Sequence, residues 1–160
     1  MNYRRLTLLF TALTLTACHS YFAPDINLKR KASEKEIVGT WKLTTQTRDL
    51  LKSHGFVDDS SKDYSITFNT DGTLQFSSLI DDAEHPVFME GPGKWTLEHD
   101  VAKGDNIKKA NEISMDLRFP SHTHYYHLFL TEENGKLILW YWYGDPDSWE
   151  FFKYERVEAK

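Results

Sequence analysis

From residue 37 to residue 157, apolar side chains recur at every second position rather than at helical spacing. The clearest run is the one in which Ile113, Met115 and Leu117 alternate with polar residues. Successive side chains of an extended strand point to opposite faces, so this period of two predicts strands with one buried face. The pattern therefore restricts the chain to an all-β fold around one apolar core.

Turn signals divide this pattern into eight short segments. Asp71-Gly72 and Asn134-Gly135 favour tight hairpins, because these residues accept positive φ angles. The eight predicted strands begin near Ile37, Tyr64, Leu74, Trp95, Glu112, His122, Lys136 and Trp149. Sequential hairpins predict an eight-stranded up-and-down antiparallel β-barrel over residues 37–157, since closure removes the sheet edges. A β-sandwich is the alternative.

One helical segment is expected within the first long loop. It runs from Thr47, a residue that can cap a helix, to His54, and Gly55 would end it. Leu50 and Leu51 would provide its apolar side. The domain is therefore predicted to be a barrel with one short helix.

The N-terminus has the three parts of a secretory signal. Arg4 and Arg5 form a positive region, an apolar run follows from Leu6 to Leu15, and small residues precede Cys18. At about ten residues the run is too short to span a bilayer, which needs ~20. We therefore predict a signal peptide over residues 1–17.

The four residues Leu15-Thr16-Ala17-Cys18 resemble the lipobox of bacterial lipoproteins. The resemblance implies that the leader is removed before Cys18, that the thiol of this residue is acylated and that the new N-terminus is acylated too, with palmitate among the covalent lipid chains. It also implies export and a lipid anchor in the cell envelope. Because residue 19 is His rather than Asp, the resemblance further implies that, in a Gram-negative host, the protein is anchored to the outer membrane and faces the periplasm. The alternative is an ordinary signal peptide with a chance cysteine. No other cofactor is expected.

Residues 18–36 are mostly polar and charged, with a basic triplet at Lys29, Arg30 and Lys31. Such a composition predicts a flexible tether without a core of its own. The triplet either contacts anionic headgroups of a membrane or is simply solvated.

The charge balance argues against a nucleic-acid partner. Loss of residues 1–17 removes two of the 19 basic residues and leaves 24 acidic ones, a net charge of −7. Nucleic-acid binding requires a basic face, which this composition does not favour.

Gly39-Thr40-Trp41 in the first strand, together with Arg156 in the last, resembles the lipocalin pattern. The resemblance implies structural roles: the tryptophan plugs the closed end of the barrel, and the arginine packs over it. It also implies small-molecule binding at the open end. The chain departs from the larger lipocalins because it lacks their Thr-Asp-Tyr motif and is shorter.

Barrel topology places the predicted loops at two ends. The end opposite Trp41 is the mouth, and the sixth strand begins there. His122 and His124 lie two residues apart and face the same side, which continues as Tyr126, whereas His127 faces the other side. The mouth loops add acidic candidates for a ligand or partner site: Asp58, Asp59, Asp81, Asp82, Asp145 and Asp147. His122 and His124 could bind a metal if a loop supplied a third ligand.

Three hypotheses follow for the function. The first is a membrane-anchored protein that binds a small amphipathic ligand at the mouth. The alternative is an envelope protein that binds another protein through its loops, as an assembly factor or an inhibitor or immunity-type partner. A metal site at the mouth is the third. No catalytic motif is present, so the chain is predicted not to be an enzyme.

The seventh predicted strand is apolar on both faces. Leu139, Tyr141 and Tyr143 alternate there with Trp140 and Trp142. One face belongs to the core. The other face either forms a surface for a partner or is covered by the tether.

Overall fold

The computed structural model describes residues 27–55, 63–80, 88–103, 108–119, 123–142 and 150–158. The residues in these ranges form two helices and eight strands. They are α1 (Glu34–Ile37), β1 (Gly39–Leu43), α2 (Thr45–Ser53), β2 (Ser65–Phe68), β3 (Thr73–Ile80), β4 (Phe88–Lys103), β5 (Lys108–Arg118), β6 (Thr123–Glu133), β7 (Lys136–Trp142) and β8 (Phe151–Arg156). Within these ranges, neither helix is long and apolar enough to cross a bilayer.

The strands form a closed barrel in which each strand pairs antiparallel with the next. β8 closes the barrel by pairing with β1, with Trp41 opposite Arg156. The prediction of an eight-stranded up-and-down barrel is therefore confirmed. The predicted short helix is present as α2, but it begins earlier, because the Thr44 side chain accepts a hydrogen bond from the Thr47 amide at 3.2 Å and caps it.

Inward side chains from all eight strands fill the barrel. The fully buried ones include Trp41, Ile66, Phe68, Leu74, Ile113, Met115, Leu117, Leu128 and Leu130. Burial of each such aliphatic or aromatic side chain contributes about 1.5–3 kcal/mol relative to exposure. The apolar residues that alternate with polar ones in the sequence are thus the side chains that point into the core, and the polar residues between them point outward.

β4 starts at Phe88, before the start near Trp95 that the sequence predicts, and runs through Gly91-Pro92-Gly93. The reason is the close approach of neighbouring chains. A Cβ on Gly93 would lie 2.7 Å from the Asp116 carbonyl oxygen on β5. The glycines therefore let the strand continue where a side chain would push the neighbours away.

Residues 27–33, which we call the strap, pack against the closed end of the barrel. Leu28 is 6% exposed and Ala32 is also buried. The Leu28 amide donates to the Leu130 carbonyl oxygen at 2.7 Å. The composition of residues 18–36 predicts a flexible tether, and the predicted domain starts at residue 37. Residues 27–36 differ from that prediction, because they share the core of the barrel.

Asn111 on β5 holds the strap through its side-chain amide. Its Nδ2 donates to the carbonyl oxygens of Leu28 at 3.2 Å and Arg30 at 2.8 Å. Its Oδ1 accepts from the Ala32 amide at 3.1 Å and lies 2.8 Å from Nδ1 of His99. Asn111 is buried, so these contacts satisfy a polar group that would otherwise be costly to place there.

After the strap, Glu36 ties α1 to the preceding turn. Its carboxylate accepts from the Ser33 amide at 2.8 Å and lies 2.7 Å from Arg30 Nη2. The hydrogen bond from Arg30 and the one from Ser33 lower the pKa of Glu36 from its ordinary 4.5 to about 2. The lowered pKa means that the folded state favours the ionised carboxylate.

Replacing Glu36 with Gln should therefore lower stability at neutral pH and have no effect near pH 2. The contribution of Glu36 is present above its unfolded pKa and is lost as the pH falls from about 4.5 to about 2. We expect less than ~1 kcal/mol at pH 7, because the side chain is 36% exposed and screened by water. Urea unfolding at pH 7, 4 and 2 measures it, with Glu34→Gln in the same helix as control. A difference that persists at pH 2 would contradict this assignment.

Candidate functional site

Trp41 occupies the closed end of the barrel. It is 0% exposed, and its Nε1 donates to the Ile37 carbonyl oxygen at 2.7 Å. Arg156 lies opposite on β8 and donates to the carbonyl oxygens of Val38 at 2.5 Å and Glu36 at 3.5 Å. Trp41 and Arg156, which were predicted to have structural roles, thus lie together at one end of the barrel. There they join the end of β8 to the chain before β1.

Gly39 completes this arrangement because any other residue at this position would be strained and would crowd the arginine. Its φ is +132°, which L side chains rarely adopt. A Cβ at this position would also lie 3.1 Å from Nε of Arg156. The glycine therefore allows the guanidinium to lie close to the start of β1.

At the opposite end, inward rings from several strands form what we call the aromatic mouth. It consists of Phe76, Phe119, His124, Tyr126 and Tyr141. Ring centroids of Tyr126 and Tyr141 are 4.9 Å apart, those of His124 and Tyr126 are 6.4 Å apart, and those of Phe76 and Phe119 are 6.2 Å apart. Tyr126 is buried, whereas His124, Phe119 and Tyr141 are only partly buried. The barrel is therefore packed with side chains towards its closed end and lined with partly accessible rings at its mouth.

The structure places His124 and Tyr126 on the same inward face of β6, followed by the core residues Leu128 and Leu130. The other candidates for the mouth lie outside the described residues: Asp58, Asp59, Asp81, Asp82, His122, Asp145 and Asp147. The acidic rim and the pairing of His122 with His124 stay predictions. Among the described residues, no group of three or more His, Cys, Asp or Glu side chains could hold a metal ion.

A polar network that the sequence analysis did not predict lies on the outer face of β4, β5 and β6. His127 Nδ1 lies 2.6 Å from Glu112 Oε1 and 3.4 Å from Ser114 Oγ, and Ser114 Oγ donates to Glu98 Oε1 at 3.1 Å. The residues resemble a Ser-His-acid triad, but a triad uses the two imidazole nitrogens separately. Here serine and carboxylate meet the same nitrogen, so the network links strands and does not activate the serine. Of this network, only the outward position of His127 could be predicted from the sequence.

Three cavities are bounded by described residues. One of about 540 Å³ lies between the strap and Thr131 at the end of β6. A second of about 220 Å³ lies at the closed end beside Arg156, and a third of about 470 Å³ lies between α2 and Phe151.

A closed eight-stranded antiparallel barrel, plugged by a tryptophan from a Gly-x-Trp sequence and closed by an arginine from its last strand, defines a small barrel of the lipocalin type. The family of lipocalin-like domains matches residues 37–155, and the chain belongs to this family. Membership of this class suggests small-ligand binding. No curated protein and no solved structure matches the chain significantly.

Proposed function

We propose that this protein is a lipid-anchored envelope protein that binds a small amphipathic ligand at the aromatic mouth. The observation that carries the proposal is the contrast between the two halves of the barrel. The half around Trp41 is filled by buried side chains, whereas the other half presents partly accessible rings around His124 and Tyr141. Ligand sites in proteins are typically apolar and aromatic with a few polar groups, as this end is.

The chemistry of the mouth favours a ligand with one flat apolar part and one polar part. The rings of Phe119, Tyr126 and Tyr141 offer apolar faces for stacking, and burial of apolar area contributes roughly 25 cal/mol per Å². The imidazole of His124 and the phenol groups offer hydrogen bonds at the rim. Because the side chains between Tyr126 and the closed end are packed, the ligand would enter only the half of the barrel nearest the mouth.

The anchor is part of the same proposal and rests on the residues Leu15 to Cys18. Two or more acyl chains on Cys18 would make the attachment effectively permanent, since each buried CH₂ contributes ~0.8 kcal/mol. Mass spectrometry of the membrane-extracted protein tests this part by itself: acylated Cys18 supports it, and a mature chain with a free Cys18 thiol contradicts it. Under this proposal the protein is a binding protein without catalytic activity or a further cofactor.

Titration of the full chain with the amphipathic dye anilinonaphthalene sulfonate tests the ligand site. Replacing His124 with Trp should fill the mouth and raise the dissociation constant of the dye at least about tenfold, which corresponds to ~1.4 kcal/mol. The matched control is Tyr125→Trp, because Tyr125 is the next residue on β6, faces outward and is 67% exposed. The control should bind the dye within about twofold of the unchanged protein.

Equal dye affinity of the His124→Trp and Tyr125→Trp variants would overturn the mouth as the site. In that case the alternative of an envelope protein that binds a partner through its loops would be the one to pursue. Unfolding curves of both variants show whether any loss of binding comes from loss of the fold.

A further inference from the structure

β3 carries a β-bulge on the part of the strand nearest the mouth. The strand pairs with β4 in one register up to Phe76 and in another from Leu79 onward. Between these positions β3 has two residues, Ser77 and Ser78, where β4 has only Glu90. Ser78 adopts a φ of +54°, in the left-handed region that favours glycine. Bulges are common beside functional sites, where they re-aim a side chain.

The bulge turns the side chain of Ser78 towards the interior of the barrel. Ser77 lies opposite Ser65 on β2, and both of these side chains are only partly buried. Tyr64, which precedes Ser65, belongs to the core. Ser78, which follows Ser77, is 2% exposed, and the next residue, Leu79, belongs to the core as well. Alternation along the two strands places Tyr64 and Ser78 on the inner face, and the bulge lets Leu79 face inward too.

The hydroxyl of Ser78 is a buried polar group without a partner. Within the part of the chain that the structure describes, its Oγ is shielded from solvent and makes no hydrogen bond. Proteins nearly always pair a buried hydroxyl, because an unpaired one loses its hydrogen bonds to water and gains none. A glycine at this position would avoid both this cost and the strain of the positive φ. The chain thus keeps an unfavourable residue here, which is typical of a functional position.

Ser78 lies beside the rings of the aromatic mouth. β3 runs from Thr73 at the closed end towards the mouth, and Phe76 precedes Ser78 by two residues, roughly 7 Å along a strand. The rings of Phe76 and Phe119 contact each other edge to face. The hydroxyl therefore lies on the mouth side of an apolar ring pair. A single polar group next to apolar rings is the combination that orients a ligand in small-molecule sites.

We propose that the Ser78 hydroxyl selects the ligand of the aromatic mouth by donating a hydrogen bond to an oxygen atom of its polar group. This inference rests on the proposed function, because the ligand must occupy the mouth. The ligand class is then amphipathic molecules that carry an acceptor oxygen, such as a carboxylate or a sulfonate, next to an apolar part that contacts Phe76 and Phe119. A molecule without the acceptor is rejected, because it would leave the buried hydroxyl unpaired.

Two dyes with the same ring system test this role in the full chain. Anilinonaphthalene sulfonate has acceptor oxygens on its sulfonate group, and phenylnaphthylamine lacks that group. Replacing Ser78 with Ala should raise the dissociation constant of the sulfonate dye at least about tenfold, as expected for a lost hydrogen bond to a charged group. The same variant should bind phenylnaphthylamine within about twofold of the unchanged protein. The matched control Ser77→Ala removes the neighbouring hydroxyl of the bulge and should bind both dyes within about twofold.

Urea unfolding separates a role in binding from a role in the fold. The midpoint for Ser78→Ala should be no lower than that of the unchanged protein, because the hydroxyl makes no hydrogen bond that the substitution would remove. Ser78→Gly accommodates the positive φ without a side chain and should weaken binding of the sulfonate dye to the same extent. A lowered midpoint for Ser78→Ala together with unchanged dye binding in Ser78→Gly would assign the hydroxyl to the fold and contradict the proposal.

The dye titrations also distinguish failure of this inference from failure of the proposed function. Equal affinity of Ser78→Ala and Ser77→Ala for the sulfonate dye would overturn the role of Ser78, and the mouth would remain the site if His124→Trp still weakened binding. An equal loss of both dyes in Ser78→Ala would overturn it as well, since a change of shape and not a hydrogen bond would be responsible. Binding that neither His124→Trp nor Ser78→Ala alters would overturn both.

Discussion

Replacing Trp41 with Ala should lower the free energy of unfolding by about 3–5 kcal/mol. The side chain is completely buried at the closed end, and its Nε1 donates to the carbonyl oxygen of Ile37. Truncation removes the apolar burial, leaves a cavity where the indole was and takes the donor from a buried carbonyl. Because Trp41 pairs with Arg156 across the closing seam of the barrel, the loss also weakens the contact between β1 and β8.

Urea unfolding followed by circular dichroism measures this loss. Tyr125→Ala is the control, since it also removes a large ring from a strand but from a position that is 67% exposed. We expect that control to change stability by no more than ~0.5 kcal/mol. A loss below ~1 kcal/mol for Trp41→Ala would show that the indole does not act as the plug of this barrel.

Replacing Asn111 with Ala should lower stability by about 2–4 kcal/mol and release the strap first. The substitution takes partners from the Ala32 amide and from the carbonyl oxygens of Leu28 and Arg30. Each buried polar group left without a hydrogen bond costs about 1–3 kcal/mol, although groups that reach water recover part of this.

Hydrogen–deuterium exchange resolves the order of events in this variant. The amides of Leu28 and Ala32 should exchange much faster than in the unchanged protein, while amides in the centre of β6 stay protected below the midpoint of unfolding. Asp116→Ala on the exposed face of the same strand is the control and should leave the strap protected. Unchanged protection of Leu28 and Ala32 in Asn111→Ala would contradict the proposed role of the asparagine.

The period of two was enough to predict the strands and their buried faces because it records a local property, the face on which each side chain lies. Ile113, Met115 and Leu117 could be assigned to the core in this way, and the turn at Asn134-Gly135 could be predicted from its own two residues. The strap could not be predicted from such patterns. Leu28 and Ala32 stand singly among basic residues, and their burial depends on Asn111, which lies about 80 positions farther along the chain.

The candidate site likewise has features that could be predicted from a single strand and features that depend on how strands pair. Alternation placed His124 and Tyr126 on one inward face, and the structure has them there. The contact of Tyr126 with Tyr141 depends on the pairing of β6 with β7, and the contact of Glu112 with His127 depends on the pairing of β5 with β6. Neither register can be obtained from a single strand, so the composition of the mouth and the outer polar network emerged only from the structure.

The strap also determines how the domain would respond to mechanical load. A pull on the chain before Asn27 reaches the Leu28–Leu130 hydrogen bond and the contacts of Asn111 before it reaches β1. These contacts join residues 28–32 to β5 and β6, which are remote in sequence from the point of loading. Tension would therefore be shared by several attachments at the closed end, and β1, whose pairing with β8 keeps the barrel closed, would be shielded from being peeled away.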